Sequence, residues 1–287
     1  MLWPHNLISL FMEQFRAGGK PRRGGPANGP EQERKMYDMI RKEYPYLYET
    51  HLHTSQGSAC ARNTGVQMAG ACKEYGYTGI IVTEHNWNGN TAVDRSLSWE
   101  EWVDLFFRGY EDAEAEGERI GLDVFFGYEA GYQGTEFLIY GIDKEWLKRT
   151  PEIRDASVEE QYALVHEAGG MVIHAHPFRQ AAYIPKTRLY PEWVDGVEGV
   201  NAAHSNPKSI EHYHPDYDEK AIAYAREHGL RITAGSDIHV ADLFGGGVAF
   251  RRKLRSCEDY VQAVLGGEDY VLTDGKGWYD KEGRKIE

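Results

Sequence analysis

His51-Leu52-His53, Glu84-His85, Glu129, His174-Ala175-His176-Pro177 and Asp237-Ile238-His239 are the chemically suggestive groups of this chain. Imidazoles and carboxylates are the usual protein ligands of Zn, Mn and Fe. Each group ends a short apolar run. Taken singly, each has an ordinary reading. A His-x-His pair in an extended segment turns both rings to one side, but surface pairs share that spacing. Glu84 could cap a helix, Glu129 could pair with a buried cation, and His176-Pro177 could form a turn. Asp237 and His239 could be a structural hydrogen-bonded pair. Taken together, five such groups at five run ends point to one polynuclear metal site. The chemistry that follows is hydrolysis, because paired cations acidify water and offset charge on the group under attack.

Strands must position these residues. From about residue 44 the chain alternates short apolar runs with helix-like stretches. Tyr46–Tyr48 leads to His51, Ile80–Val82 to Glu84-His85, and Val124–Phe126 to Glu129. Met171–Ile173 leads to His174, Val194–Val200 to Asn201, and Arg231–Thr233 to Gly235-Ser236-Asp237. Phe137–Tyr140 is a further strand candidate. Between them, Thr64 to Tyr75 reads as a helix with Gly76 as its stop, and Ala221 to His228 as one stopped by Gly229. Ser98 with Glu101, and Ser157 with Glu160, have capping-box spacing. Trp102, Phe106, Gly109 and Ala113 share a helical face. Alternation of this kind predicts a parallel α/β sheet with crossover helices. About seven units are enough to close a barrel, whose chemistry sits at the C-terminal strand ends. An open doubly wound sheet is the alternative, but no glycine-rich phosphate loop supports it.

The chain has 287 residues, 41% of them hydrophobic, enough for one large core. Its 32 basic and 45 acidic side chains give a net charge of -13. That disfavours non-specific nucleic-acid binding, which depends on Lys and Arg at phosphates. Bound cations would offset acid locally, so a nuclease is not excluded. Cys60, Cys72 and Cys257 are odd in number and widely spaced, as in a reducing compartment rather than a disulfide framework. No apolar run reaches membrane-spanning length, and Leu7–Met12 lacks the preceding positive charges of a signal peptide. A cytoplasmic protein is expected. Residues 17–30, AGGKPRRGGPANGP, read as a flexible linker. The domain division expected is therefore a leader and linker over residues 1–43 and a catalytic domain over 44–287. The stretch from Asp269 to Glu287 reads as a last strand plus a charged tail.

The ordered set His51-Leu52-His53-Thr54, Thr83-Glu84-His85, Gly127-Tyr128-Glu129, His176-Pro177 and Gly235-Ser236-Asp237-Ile238-His239 resembles the polymerase and histidinol phosphatase (PHP) family. The resemblance covers roughly residues 46–265. It implies a distorted seven-stranded α/β barrel with two or three divalent metals at the C-terminal strand ends. It also implies that His51, His53, Glu129 and Asp237 hold one metal. Glu129 would bridge to a second with His176, and His85 and His239 would hold a third. Two departures stand out. After His-x-His-Thr the family usually carries Asp or His, whereas this chain has Ser55-Gln56-Gly57-Ser58-Ala59-Cys60. Beyond the bridging Glu the family often carries His, and the aligned position here is Leu138. Two sites are thus a ligand short, to be completed by water, substrate oxygen, Glu136, His174 or His204.

Asp237, His174 and Arg179 are the catalytic candidates, His174 as ligand or proton donor and Arg179 as a bidentate phosphate clamp. Arg62 is a weaker clamp candidate, and Asn201 could touch substrate or hold a ligand in place. Trp87, Tyr128, Tyr132, Phe178 and Tyr183 could stack on a base or simply pack. The expected activity is hydrolysis of a phosphate ester by a metal-bridging hydroxide, with Mn, Fe or Zn. A nucleotide or other small phosphomonoester is the first expectation. A short oligonucleotide cut exonucleolytically, an amide or lactone, and a non-catalytic metal-binding module are the alternatives.

Overall fold

The computed structural model describes residues 30–209 and 212–287. Contacts divide the chain into two units, residues 1–35 and 36–287, and the second carries all that follows. The expectations for residues 1–29 lie outside the described residues. Helix α1 (Pro30–Glu43) occupies the end of the segment read as leader. Its Ile40 is buried, and Met36 and Tyr37 pack on the cluster that holds Leu47, Ile80 and Trp278.

Strand β1 (Tyr46–Leu52) is followed by α2 (Gly65–Tyr75) and β2 (Gly79–His85). Helices α3 (Trp99–Phe106) and α4 (Arg108–Ile120) precede β3 (Asp123–Tyr132). Then come β4 (Thr135–Tyr140), α5 (Lys144–Arg149), α6 (Val158–Glu167), β5 (Met171–His174), β6 (Gly196–Asn201) and α7 (Ala202–Ser205). Helix α8 (Asp216–His228) leads to β7 (Arg231–Gly235) and β8 (Gly246–Phe250). Helix α9 (Cys257–Leu265), β9 (Tyr270–Asp274) and β10 (Trp278–Asp280) complete the described chain. None of the described helices is long and apolar enough to cross a membrane.

Local chemistry sets several boundaries. Ser98 and Ser157 each cap a helix, with Glu101 and Glu160 closing the two boxes. Thr64 and Gln67 form a third box at the start of α2. Gly76 and Gly229 end their helices in the left-handed conformation, which glycine adopts without a Cβ penalty. The stripe Trp102, Phe106, Gly109 and Ala113 is buried, but Phe107 divides it between α3 and α4.

The strands form one sheet of ten, in the order β10-β9-β8-β1-β2-β3-β4-β5-β6-β7. The fold is mixed α/β, and the expected set of seven strands is exceeded for two local reasons. The first is the β3–β4 connection. Gln133 and Gly134 both have positive φ, 53° and 88°. That pair of angles makes a two-residue hairpin, which forces β4 antiparallel to β3. Strand β5 is antiparallel to β4 in turn. The second reason is the C-terminal region. Strands β8, β9 and β10 add an antiparallel extension to the outer side of β1, where a single strand and tail were expected. Elsewhere the crossovers are parallel: β1–β2–β3 and β5–β6–β7. The sheet curls enough for the chain after β7 to return to β1. Leu52 and Ile238 form an isolated parallel bridge, with His53 N donating to Ile238 O and Ile238 N to His51 O.

This curl fixes where the polar run ends meet. The first three strands are in parallel register, with Glu84 beside Tyr128 and His85 beside Glu129. The start of antiparallel β4 lies at the same end. Apolar clusters flank the sheet: Tyr48, Tyr140, Val197, Phe250 and Leu272 in one, Trp102, Phe106, Phe126 and Val172 in another.

Candidate metal centre

His51, His53, His85, Glu129, His176, Asp237 and His239 converge at the C-terminal ends of the parallel strands. His51 Nε2 lies 3.3 Å from Glu129 Oε1 and 3.4 Å from Asp237 Oδ1. His53 Nε2 is 3.3 Å from Asp237 Oδ1. His85 Nδ1 is 2.8 Å from Glu129 Oε2, His176 Nε2 is 3.2 Å from Glu129 Oε1, and His239 Nδ1 is 3.4 Å from Asp237 Oδ1. Glu129 thus sits at the centre, facing four imidazoles, those of His51, His53, His85 and His176.

The buried atoms that face one another are short of partners. His51 Nε2, His53 Nε2, His85 Nδ1 and Glu129 Oε2 make no hydrogen bond. Unsatisfied buried polar atoms are costly, and several aimed at one point call for an ion or water. Four ligand groups fit a cation, with donor atoms within 4.8 Å of one another. They are His51/His53/Glu129, His51/His176/Asp237, His85/Glu129/Glu136 and His53/His85/His239. The donor set, nitrogen and carboxylate oxygen, is that of Zn, Mn or Fe.

Outer partners turn the free nitrogens inward. His51 Nδ1 is 2.9 Å from Glu198 Oε1. A carboxylate only accepts, so Nδ1 carries the proton and Nε2 faces Glu129 and Asp237. Asn201 Nδ2 donates to Glu198 Oε2 and steadies it. Ser58 Oγ donates to Glu84 Oε2 at 2.6 Å, so it accepts from His53 Nδ1 at 3.0 Å. Glu84 is therefore a support rather than a member of the ligand groups. It also accepts from Thr54 N. Gly235 permits the close approach of β7, since a Cβ there would stand 2.6 Å from His51 Cβ.

Two of the converging residues have strained backbone: His176 has φ 29° and Asp237 φ 54°. Non-glycine residues seldom adopt these angles, and such strain clusters at functional sites. Charges are tuned by proximity. Burial pushes the Glu129 and Asp237 carboxyls up, but their cationic neighbours hold both well below the usual carboxylate range. Those neighbours are His51 and His85 for Glu129, and Arg179, His51 and His239 for Asp237. Burial, with His239 and His85 nearby, pushes His53 well below its ordinary value.

The catalytic candidates divide. Arg179 is buried and donates from Nη1 to Asp237 Oδ2 and from Nε to His204 Nε2. Its Nη2 has no partner. His204 is held by Asp218, with Nδ1 at 2.6 Å from Oδ1. His174 is in none of the ligand groups. It sits opposite Phe137 in the sheet register, its ring 5.0 Å from that of Phe137. His176 lies beyond the end of β5 with a positive φ, outside the strand alternation from which a shared side was expected. Burial, then His176, lowers the His174 imidazole to about 3. Arg62 is exposed. Trp87 is packed among Trp99, Trp102 and Tyr128, its Nε1 bonded to Arg154 O.

The two substituted positions also resolve. Leu138 is core and lies opposite Glu129 in the register. Two residues earlier on the same face, Glu136 reaches the site, 3.7 Å from His176 Nε2 and 3.9 Å from His85 Nδ1. Burial, then Glu129, pushes its carboxyl up to about 7. Glu198 and Glu49 were missed by the sequence reading. Glu49 accepts from His51 N and Ser236 N. Their only signal was a lone carboxylate inside an apolar strand.

Residues 215–268 match the family model for the PHP-associated region. That segment includes Asp237 and His239. The match covers that segment alone, and there the chain is similar to PHP proteins. Among solved structures, a two-domain protein from Bacteroides vulgatus ATCC 8482 contains a predicted PHP-like metal-dependent phosphoesterase. It matches over 79% of this chain with 14% identity and a TM-score of 0.56. This chain spans 64% of that protein's length. A chain from Bifidobacterium adolescentis ATCC 15703, provisionally named a metal-dependent phosphoesterase, matches over 67% at 17% identity and TM-score 0.45, with 87% of its own length covered. An amidohydrolase from Chromobacterium violaceum with bound sulfate and no metal gives 67%, 17% and 0.46, again covered over 87%. No curated protein matches the sequence significantly. The likeness to the Bacteroides structure shows the fold alone; the reaction must be argued from the site.

Proposed function

We propose that this protein is a metal-dependent phosphoesterase acting on a small phosphomonoester such as a nucleotide. The carrying observation is a buried guanidinium with a free N–H, Arg179 Nη2, beside a group of unpartnered ligand atoms. His51, His53, Glu129 and Asp237 would hold one cation, Glu129 would be shared with a second at His176 and Glu136, and His85 and His239 would hold a third. Two or three cations of the Mn, Fe or Zn type would supply Lewis acidity, acidifying water and offsetting phosphoryl charge.

The chain's own residues do the rest. Arg179, fixed by Asp237 and by His204 with Asp218 behind it, offers its free N–H to a phosphate oxygen. A cleft beside it is lined by Glu136, His174, His176, Lys186 and Arg188. Its basic rim suits a phosphate, and its small size favours a small ester over a polymer. His174 stays neutral at ordinary pH and walls this cleft. It is a poor proton donor, because its imidazole binds a second proton only near pH 3. Glu198, Asn201, Ser58 and Glu84 keep the ligand rings aimed inward.

The test is phosphate release from a panel of nucleoside and sugar monophosphates and short oligonucleotides. Protein reloaded separately with Mn, Fe and Zn is compared with Asp237→Ala. Metal-dependent turnover that falls at least about 100-fold in the variant is expected, with monophosphates faster than dinucleotides. The reverse rate order would favour an exonuclease. No turnover with any metal, in folded and loaded protein, would overturn the phosphoesterase reading in favour of a metal-binding module.

A further inference from the structure

Alternation along β3 turns Tyr128 away from Glu129, and on that other face Tyr128 packs on Trp87, 5.8 Å between ring centres. Trp87 also lines a cleft of about 440 Å³, open mouth included, that contains none of the metal-centre residues. Small-molecule sites run from ~300 to ~1,000 Å³. Trp87, Trp99 and Trp102 line the cleft together with Arg95, Arg154 and Asp155.

Two groups there lack partners. The Arg154 guanidinium lies 5.7 Å over the Trp99 ring and makes no ion pair or hydrogen bond within the described residues. Trp102 Nε1 is buried without a partner, whereas Trp87 and Trp99 donate to Arg154 O and Leu147 O. Buried indole N–H groups usually find an acceptor. A free cation on an indole face and a donor with nothing to bind call for a flat apolar ligand that carries an acceptor. Two guanidinia against one carboxylate leave a single positive charge, which matches a carboxylate better than a doubly charged phosphate.

One turn joins this cleft to the metal centre. His85 and Glu129 are neighbours in the sheet register. Asn86 is buried; its N donates to Glu129 O at 2.8 Å. Its Oδ1 accepts from Asn88 N at 3.1 Å, Gly89 N at 3.0 Å and Gly131 N at 3.1 Å. Arg95 holds the same turn from the cleft, with Nε on Trp87 O at 2.7 Å and Nη2 on Gly89 O at 2.6 Å. Asn88 Nδ2 donates to Arg154 O at 3.1 Å. A ligand that fixes Arg95, Arg154 and Trp87 therefore fixes the turn that follows His85.

We infer that this cleft is an effector site for a planar aromatic carboxylate, and that its occupancy stiffens the 86–89 turn and tightens metal binding at His85 and Glu129. The site stands on its own geometry; the relay rests on the metal-centre reading above.

The probe is 2-naphthoate, titrated calorimetrically into the full chain, with zinc affinity read by competition against a chelator. Chelated protein should bind one equivalent saturably. Replacing the probe by uncharged 2-naphthamide, or exposed Arg154 by Gln, should each weaken binding at least about tenfold. Zinc should tighten naphthoate binding about fivefold, and naphthoate should tighten zinc binding by the same factor, because coupling is reciprocal. Asn86→Ala should leave both ligands bound and remove the coupling; Asn86→Asp, which keeps the acceptor, should restore it. No saturable binding, or equal binding in wild type and Arg154→Gln, would overturn the site. Binding that needs zinc and vanishes in Asp237→Ala would put the carboxylate on the metals and overturn it too. Equal naphthoate affinity with and without zinc, in protein shown to bind zinc, would overturn the relay. Protein that binds naphthoate but no zinc would remove the metal centre, and the relay with it, and leave the site standing.

Discussion

Two clusters of charge in this molecule are built on opposite terms. The metal centre gathers five imidazoles and three carboxylates in the interior and leaves several ligand atoms unpaired. The other cluster lies around the start of α9. There Arg252 sends Nη1 and Nη2 to the two oxygens of Asp259, each at 2.8 Å, and Nε to Glu268 at 2.8 Å. Arg255 N donates to the same Asp259, and Ser256 Oγ accepts from Asp259 N. The carboxylate oxygens of Asp259 meet N–H groups, and Arg252 is 40% exposed to screening water. One cluster is complete in the protein alone; the other is complete only with something added. Charge density does not separate function from structure. The convergence of unpaired ligand atoms on one point does.

The largest effect should come from supplying what the first cluster lacks. Cations that bind only the folded chain stabilise it by mass action, about 4 kcal/mol at a thousandfold excess over Kd. At about 2–4 °C per kcal/mol for a chain of this size, chelator-treated protein should gain roughly 10 °C in Tm on loading with Zn or Mn. Glu129→Gln removes the carboxylate shared between groups, and should abolish most of that gain while disturbing the metal-free Tm far less. Equal Tm with and without metal in the wild type would contradict the contrast between the clusters. Differential scanning calorimetry on both forms decides it.

A smaller effect should follow at one remove. Glu198 lies behind the ligands: Oε1 meets the far nitrogen of His51, which it orients, and Oε2 accepts from Asn201 Nδ2 and His176 N. Glu198→Gln keeps the volume but can present an N–H₂ to His51 Nδ1, favouring the tautomer whose proton faces inward. Metal affinity should fall by about 10–100-fold, the usual cost of losing an outer partner. Competition with a chelator reads this directly. An unchanged affinity would mean that packing, not the hydrogen bond, sets the ring of His51.

How much could be read from sequence follows the same divide. The run ends were legible because strand ends are local: His51, Glu84-His85, Glu129 and Asp237 each close an apolar stretch. Helix limits at Ser98, Ser157, Gly76 and Gly229 were legible because caps are local too. The hairpin was not. Gln133-Gly134 is a weak turn signal, and only the two positive φ angles show that β4 runs backwards. That reversal brings Glu136 to the site and puts Leu138 in the core. Glu198 was hidden because an acid in Gly-Val-Glu-Gly-Val looks like a surface position until His51 is set beside it. The ten-strand count was missed because β8–β10 form an antiparallel extension whose short runs carry no chemistry.

The smallest effect tests the complete cluster and its pH dependence. Hydrogen bonds from Arg252 hold Asp259 below the usual carboxylate range, against burial, which raises it. In the unfolded chain it titrates near 3.9. As pH falls through that value, the unfolded chain takes up a proton that the folded chain refuses. Folding stability then drops with falling pH, and the contribution of Asp259 is present above pH ~4 and lost below it. Asp259→Asn has no such proton. It should cost about 1 kcal/mol at neutral pH, and the gap from wild type should shrink steadily once the pH passes below about 4. Because Arg252 is partly exposed, salt should narrow the gap as well. Metal should not: the cost of Asp259→Asn ought to be the same in loaded and chelated protein, since the sites share no partner and distant sites add. Urea titrations of both forms from acid to neutral pH measure all three dependences. A cost that changed with metal would mean that the two clusters are coupled through the sheet.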